Sequence, residues 1–266
     1  MSTIETSTVT GLDTVSYPRA ARSRRWLLPA GRVAVPVVAL LLWLVLAPLT
    51  ELVPAPIPTV KEAWDGFATG WIYPGIQATA SAVFTGFALG TAFAFPAGYL
   101  LGRSRYLNRV FEPLITGTFA IPRIIVYPIL LTLFGVGFQA ETGMVAISAF
   151  FPIVMSTAAA VRQASRTLLK LGRSLNASRA QIAMKIVIPE VAPGIMVGIR
   201  IGFSISFIAA IIAEFFAAKE GLGLMISRAH AGLDLPRMYA IVLLVMIAAF
   251  GGNMILWWAE RRLRRS

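Results

Sequence analysis

The chain has 266 residues, 57% of them hydrophobic and only 14% charged, with a mean hydropathy of +0.75. A soluble domain carries nearer a quarter charged residues, so this much apolar surface needs lipid as its solvent. The absence of Cys and the single His, His230, exclude disulfides, thiolate metal sites and multi-histidine metal sites, and no G-x-x-x-x-G-K-[ST] phosphate loop is present. The net charge of +12 would suit nucleic acid, but its distribution reads as membrane topology instead.

Residues 1–32 form a Ser/Thr-rich and then basic tail, expected to be disordered and cytoplasmic. The apolar run Val33–Leu49 follows. It is long for a signal core, and Ala55-Pro56-Ile57 is a poor cleavage site, so it is read as a retained first span. The stretch Glu51–Ile76 contains PAPIP, expected to be stiff and extended. An amphipathic piece at Thr59–Thr69 is then expected to lie along the outer interface.

A helix needs about 20 apolar residues to cross the hydrocarbon layer. Besides Val33–Leu49, the segments Thr79–Leu101, Val110–Phe134, Met144–Val161, Gly194–Phe216 and Tyr239–Trp258 qualify, giving an all-α polytopic membrane protein of six spans across 33–260. Gly86, Gly90, Ala94, Gly98 and Gly102 recur at four-residue spacing in the second, a stripe for close helix packing. The third is interrupted by Pro122, Arg123 and Pro128. Of the 24 Lys and Arg residues, eighteen fall in the N-terminal tail, the second-to-third connection, the fourth-to-fifth connection and the C-terminal tail 261–266. Cationic loops stay in the cytoplasm, so both termini and the loop 163–190 are expected there.

That loop reads QASRTLLKLGRSLNASRAQIAMKIVIPE. Leu168, Leu171 and Leu175 make one apolar stripe of a short helix. Asn176 suits the left-handed turn that ends helices. Ser178 with Gln181 forms a capping box, flanked by Ala177 and Ile182 at staple positions. Pro189 is expected to stop the second helix before the next span. A helix–turn–helix with basic exposed faces could lie on anionic lipid or dock a protein partner.

Polar groups inside apolar spans normally face protein or water. Glu214 in the fifth span is a candidate pathway or gate residue. Arg123, beside the break made by Pro122, is a candidate for lining a cavity that takes an anion. Arg200, near the cytoplasmic end of the fifth span, is placed to snorkel to the headgroups. His230 is expected to be solvated. An ion-driven carrier would show repeated halves and midplane acids in several spans, and neither is obvious. A membrane enzyme would need clustered catalytic groups, and the carboxylates are scattered.

From about Pro54 to Arg262 the chain resembles the permease subunits of nitrate/sulfonate/taurine-type ATP-binding-cassette importers. The segments that carry the likeness are PAPIPTVKEAW, SAVFTGFALGTAFAFPAGYLLGRS, EPLITGTFAIPRIIVYPILLTLFGVG, FFPIVMSTAAAVR and IVIPEVAPGIMVGIRIGFSISFIAAIIAEFFAAKEGLGLMI, in that order. The loop follows the family's Glu-Ala-Ala, Gly, Ile-x-Leu-Pro docking motif. Lys170-Leu171-Gly172 stands for Glu-Ala-Ala, Asn176 for Gly, and Ile186, Ile188 and Pro189 close it. The resemblance implies a type I importer-like permease of the bacterial inner membrane, not an enzyme. It would have two cytoplasmic ATPases as partners, holding ATP and Mg that this chain does not bind. A second permease copy, more simply identical than different, an extracytoplasmic solute-binding protein and membrane lipid complete the set, with no nucleic acid. Docking would fall to residues 170–172, Leu175, Asn176, Ala177, Ser178, Arg179, Gln181, Ile182, Ile186, Ile188 and Pro189. The solute would be a small anion of the sulfonate, nitrate or taurine class or another organic acid, although relatives of this kind also move vitamin-precursor heterocycles.

Overall fold

The computed structural model describes residues 27–50, 52–119 and 121–263, and every regular element among them is helical. Most of the expected N-terminal tail and the last three residues of the C-terminal one lie outside the described residues. The chain divides into two units, Met1–Val53 and Pro54–Ser266, a boundary that falls inside the expected 33–260 permease domain. The first unit holds α1 (Leu27–Leu46), continued by a 3₁₀ turn at Ala47–Leu49.

The second unit begins with α2 (Pro56–Thr69) and α3 (Tyr73–Arg103). The expectation of an extended PAPIP is corrected here. Ala55 is extended, but Pro56 and Pro58 open the helix, because the first turn has no intrahelical partner for the N–H that proline lacks. Next come α4 (Arg105–Thr118), a 3₁₀ turn at Arg123–Val126 and α5 (Tyr127–Phe134). α6 (Phe138–Arg162) is followed by α7 (Arg166–Ser174) and α8 (Arg179–Ile182). A π-helical turn at Ala183–Val187 leads into α9 (Ile188–Ala217), and α10 (Leu222–Ala231) and α11 (Leu235–Leu263) complete the fold.

Among the described residues four helices are long and apolar enough to cross a membrane: α3, α6, α9 with its preceding turns, and α11. α4 and the segment 123–134 qualify only together, as a pair meeting at 93°. The expected third span is therefore not one continuous helix. Pro122 has ψ of 114°, well outside the helical region, and Arg123 begins a new turn beyond it. The apolar part of α1, Ala34–Leu49, is shorter than the four.

α6 is the centre of the second unit. Along α3, a Cβ placed on Gly86, Gly98 or Gly102 would lie 2.6 Å from Val145, Thr157 or Val161 of α6. One on Gly90 would lie 2.6 Å from the Ala146 carbonyl oxygen. The predicted small-residue stripe thus brings two backbones together. On an adjoining face α6 meets Gly194 at Ala160, Gly198 at Ser156 and Gly202 at Ile153. Paired residue numbers rise together between α3 and α6 and run oppositely between α6 and α9. α11 runs back against α9, with Gly252 at the Phe203 ring and Glu260 at Arg200. The ends of α3 and α6, the hairpin 163–187 and the end of α11 consequently gather at one end of the bundle.

Pro189 also departs from expectation. It does not end the second helix: α8, the π turn and α9 are continuous over Ala180–Ala217. The π turn accommodates it, since the Ile188 N–H reaches back to the Ala183 carbonyl, and the missing Pro189 donor falls in a register already shifted.

Substituting Gly98 by Val should lower the thermal midpoint of the purified protein by the equivalent of about 1–3 kcal/mol, because the neighbour includes backbone that cannot yield. Gly117→Ala, with nothing within 4 Å of the added methyl, should leave it unchanged or higher. Differential scanning fluorimetry on the two variants checks the pair.

Candidate functional site

The hairpin is built as its residues dictate. Asn176 has φ of +54°, and the Ala177 N–H donates to the Gly172 carbonyl at 3.1 Å, the six-to-one bond of a Schellman turn. The capping box is complete. The Ser178 N–H donates to Gln181 Oε1 at 2.8 Å, and the Gln181 N–H donates to Ser178 Oγ at 3.2 Å. Gly172 is buried, and a Cβ there would stand 2.7 Å from Ile186 Cδ1 and 3.2 Å from Ile182 Cγ1. That position therefore lets α7 lie directly on the following turns.

What the fold leaves uncovered is the apolar stripe. Leu168, Leu171 and Leu175 are 39%, 54% and 72% exposed, and Lys170 beside them is exposed too. Ile182, Ile186 and Ile188 are half-buried, while Ser178, Gln181 and Pro189 are exposed. The Arg179 side chain lies outside what is described. Glu190, which the sequence reading missed, ties the hairpin down: the Ser165 N–H donates to its Oε1 at 2.8 Å, at the start of α7. At the same end Arg162 contacts Asn108 and lies 3.5 Å from Glu112, linking α6 to α4.

The break after α4 opens a cavity of about 360 Å³ between the 3₁₀ turn, α6 and α9. Arg123 and Ser148 are its polar lining. Ile121, Ile205, Ile208 and Ile212 supply much of the rest. The Arg123 guanidinium stands 5.1 Å from the centroid of Phe119, a cation–π contact. Its Nε is buried and has no hydrogen-bond partner among the described residues, and the same holds for Ser148 Oγ. Ser148 was not singled out in the sequence, where a lone serine in an apolar helix carries no signal.

Glu214 does not line this cavity. It is fully buried, and Thr79 Oγ1 donates to its Oε2 at 2.9 Å, as does the Gly223 N–H at 2.8 Å. The Leu222 N–H in turn donates to Thr79 Oγ1 at 2.9 Å. Gly221, at φ of +123°, and Gly223 leave no room for a Cβ against the Glu214 side chain. The Gly221-Leu222-Gly223 turn is thus folded over the carboxylate and held to α3. Arg200 is paired with Glu260 at 3.3 Å, Glu260 being 5% exposed, so its place is an ion pair between α9 and α11 rather than the headgroups alone. His230 is exposed on α10. No group of three metal-ligating side chains occurs among the described residues.

Comparison with known proteins adds the family context. The family model described as binding-protein-dependent transport system inner membrane component matches residues 90–265. A probable ABC transporter permease of Brucella melitensis is 29% identical, over 79% of this chain and 85% of that protein. The taurine transport system permease of Escherichia coli is 25% identical, over 91% of this chain and 90% of its own length. Among solved structures, the MetNI methionine ABC transporter in an inward-facing conformation superposes with a TM-score of 0.63 at 22% identity, covering 73% of this chain and 94% of that one. At that identity the likeness speaks for the fold.

The Thr79 bridge gives a direct test. Thr79→Val should strip a partner from a fully buried carboxylate and from the Leu222 N–H, costing about 1–3 kcal/mol, whereas Thr79→Ser should keep most of the stability. Thermal midpoints in detergent or nanodiscs separate the two.

Proposed function

The chain belongs to the family of binding-protein-dependent transport system inner-membrane components, permease subunits of ABC importers and not enzymes, and from that premise we propose how it works. It forms the translocation pathway for a small anionic solute and is driven through residues 163–190 by a separate ATPase, which holds the ATP and Mg. Two ATPase subunits, a second and identical permease copy, and an extracytoplasmic solute-binding protein complete the assembly. The basic end of the bundle, with Arg103, Arg105, Arg162, Arg261 and Arg262, is the cytoplasmic one by the positive-inside rule, which puts both termini there. The tail at 1–32, the permease domain at 33–260 and the tail at 261–266 are assigned on this basis.

The observation that carries the reading is the uncovered leucine stripe of α7, which packs through Gly172 on the turns that follow. Its docking surface comprises Lys170, Leu171, Leu175, Asn176 and the exposed residues of the second turn, with Gly172, Ile182, Ile186 and Ile188 packing beneath. A push on α7 passes through the contact of Gly172 with Ile182 and Ile186, and through the Ser165–Glu190 bond, into α9, whose far half walls the cavity. Motion of the ATPases would in this way switch the cavity between outward and inward access. Lys170 reverses the charge usual at its position, so the groove that receives it is expected to offer an acid. We give the pathway role to Arg123 and a structural role, holding the 221–223 turn, to Glu214.

Replacing Leu171 and Leu175 together by Asp should cut ATPase co-purification at least about tenfold, since two apolar contacts of about 1.5–3 kcal/mol each are lost. The thermal midpoint of the permease alone should hold, because both side chains are exposed. Undiminished recovery of the ATPase with the double variant would overturn the docking assignment.

A further inference from the structure

The end of α11 carries two arginines laid on two tryptophans. Arg261 Cζ lies 3.7 Å from the centroid of the Trp257 ring, and Arg262 Cζ lies 3.9 Å from that of Trp258. A carbon that close to a centroid stands over the face of the ring and not at its edge, the cation–π arrangement. Each pair is four residues apart on one helix, so the helix itself sets the contact. A guanidinium plated on one face by indole keeps its N–H edge free to donate. Both arginines are exposed, and among the described residues neither pairs with a carboxylate. Glu260, the acid beside them, is 5% exposed and turned to Arg200.

An apolar stripe leads to this pair. Ile247, Phe250, Met254 and Trp258 recur at three- and four-residue spacing, all are exposed, and Arg262 stands at the next interval. Of the four long apolar helices, α11 is the one least covered by the rest of the chain. From Ile247 to Trp258 it rises about 17 Å. Half the hydrocarbon core of a bilayer is roughly 15 Å thick, so the stripe matches one leaflet. A tryptophan followed by arginines at its end fits the level where acyl chains give way to headgroups. Apolar length and uncompensated positive charge together describe a lipid, whereas a protein partner would have no reason to match a leaflet.

We propose that this stripe and its two stacked arginines form a binding site for one anionic phospholipid, of the phosphatidylglycerol type. An acyl chain lies along Ile247–Trp258, and the phosphate accepts from the outer edges of the Arg261 and Arg262 guanidinium groups. A phosphatidylcholine carries the same phosphate, but its ammonium group would come to rest beside two cations that nothing else neutralises. The proposal goes beyond the transport reading and needs only that the chain spans a bilayer.

The test uses the full-length permease in nanodiscs of phosphatidylcholine, with and without phosphatidylglycerol, followed by thermal midpoint and by native mass spectrometry of the lipid retained. Phosphatidylglycerol should be retained at least about fivefold better than phosphatidylcholine and should raise the midpoint. Arg261→Gln with Arg262→Gln should abolish that preference and leave the midpoint in phosphatidylcholine unchanged, since both side chains are exposed. Arg261→Lys with Arg262→Lys keeps both charges but loses the planar fork, and should retain the anionic lipid severalfold less than the wild type. Trp258→Leu, which keeps the stripe apolar and both charges in place, should weaken retention as well. Equal retention of the two lipids by the wild type overturns the site, and so do lysine variants that hold phosphatidylglycerol as well as the arginines do, because charge alone would then suffice. A glutamine pair that loses ATPase co-purification while keeping its lipid preference would assign the arginines to a protein contact, and overturns it too.

Discussion

In hydrocarbon, helices gain nothing by hiding apolar surface from one another, because the lipid tails are as apolar as their own side chains. What draws them together is van der Waals contact, and that grows as backbones approach. The close approach of α3 and α9 to adjoining faces of α6 is therefore the constraint on which the second unit depends. Gly86, Gly90, Gly98 and Gly102 make it on one side, and Gly194, Gly198 and Gly202 on the other. With glycines on both flanking helices, α6 contributes ordinary residues such as Val145, Ile153 and Thr157, and its buried face is filled rather than thinned.

That packing leaves α9 with several attachments along one rod of 30 residues, about 45 Å long. Near its start, Glu190 holds the hairpin. Its first half packs on α6 through glycines and on α11 through the Arg200–Glu260 pair. The isoleucines at 205, 208 and 212 wall the cavity, and Glu214 fixes the turn beyond. The π turn before Ile188 matters in this light. Had Pro189 broken the helix, the hairpin would hang on a flexible joint; with the register shifted by one residue, it is continuous with the helix that lines the cavity.

Much of this was legible in the sequence because it is local. The glycine spacing in 86–102, the Asn176 turn and the Ser178–Gln181 box are each written within five residues or at fixed helical intervals, and each forms as read. Proline was the least reliable sign. Pro56 and Pro58 start a helix, Pro189 sits near the start of one, and Pro122 does break a span, because what proline forbids depends on whether its position needs a donor. Partners distant in sequence could not be read. Nothing near Glu214 announces Thr79, 135 positions away, and nothing near Arg200 announces Glu260. Ser148 is visible only once the fold has placed it in the lining of the same cavity as Arg123.

The two arginines of the spans show why this distinction bears on function. Both lie in apolar segments, and by composition alone both could be structural. A cation in such surroundings is stable only with an opposing charge or access to water. Glu260, itself nearly buried, supplies that charge for Arg200, so the two neutralise each other between α9 and α11. Removing either member would leave the other costly, which is the signature of a structural pair. Arg123 stands instead at a backbone break, over an aromatic ring, in the lining of a cavity, and its Nε has no hydrogen-bond partner among the described residues. The fold thus pairs one arginine across two helices and leaves the other half-buried in the lining of a cavity.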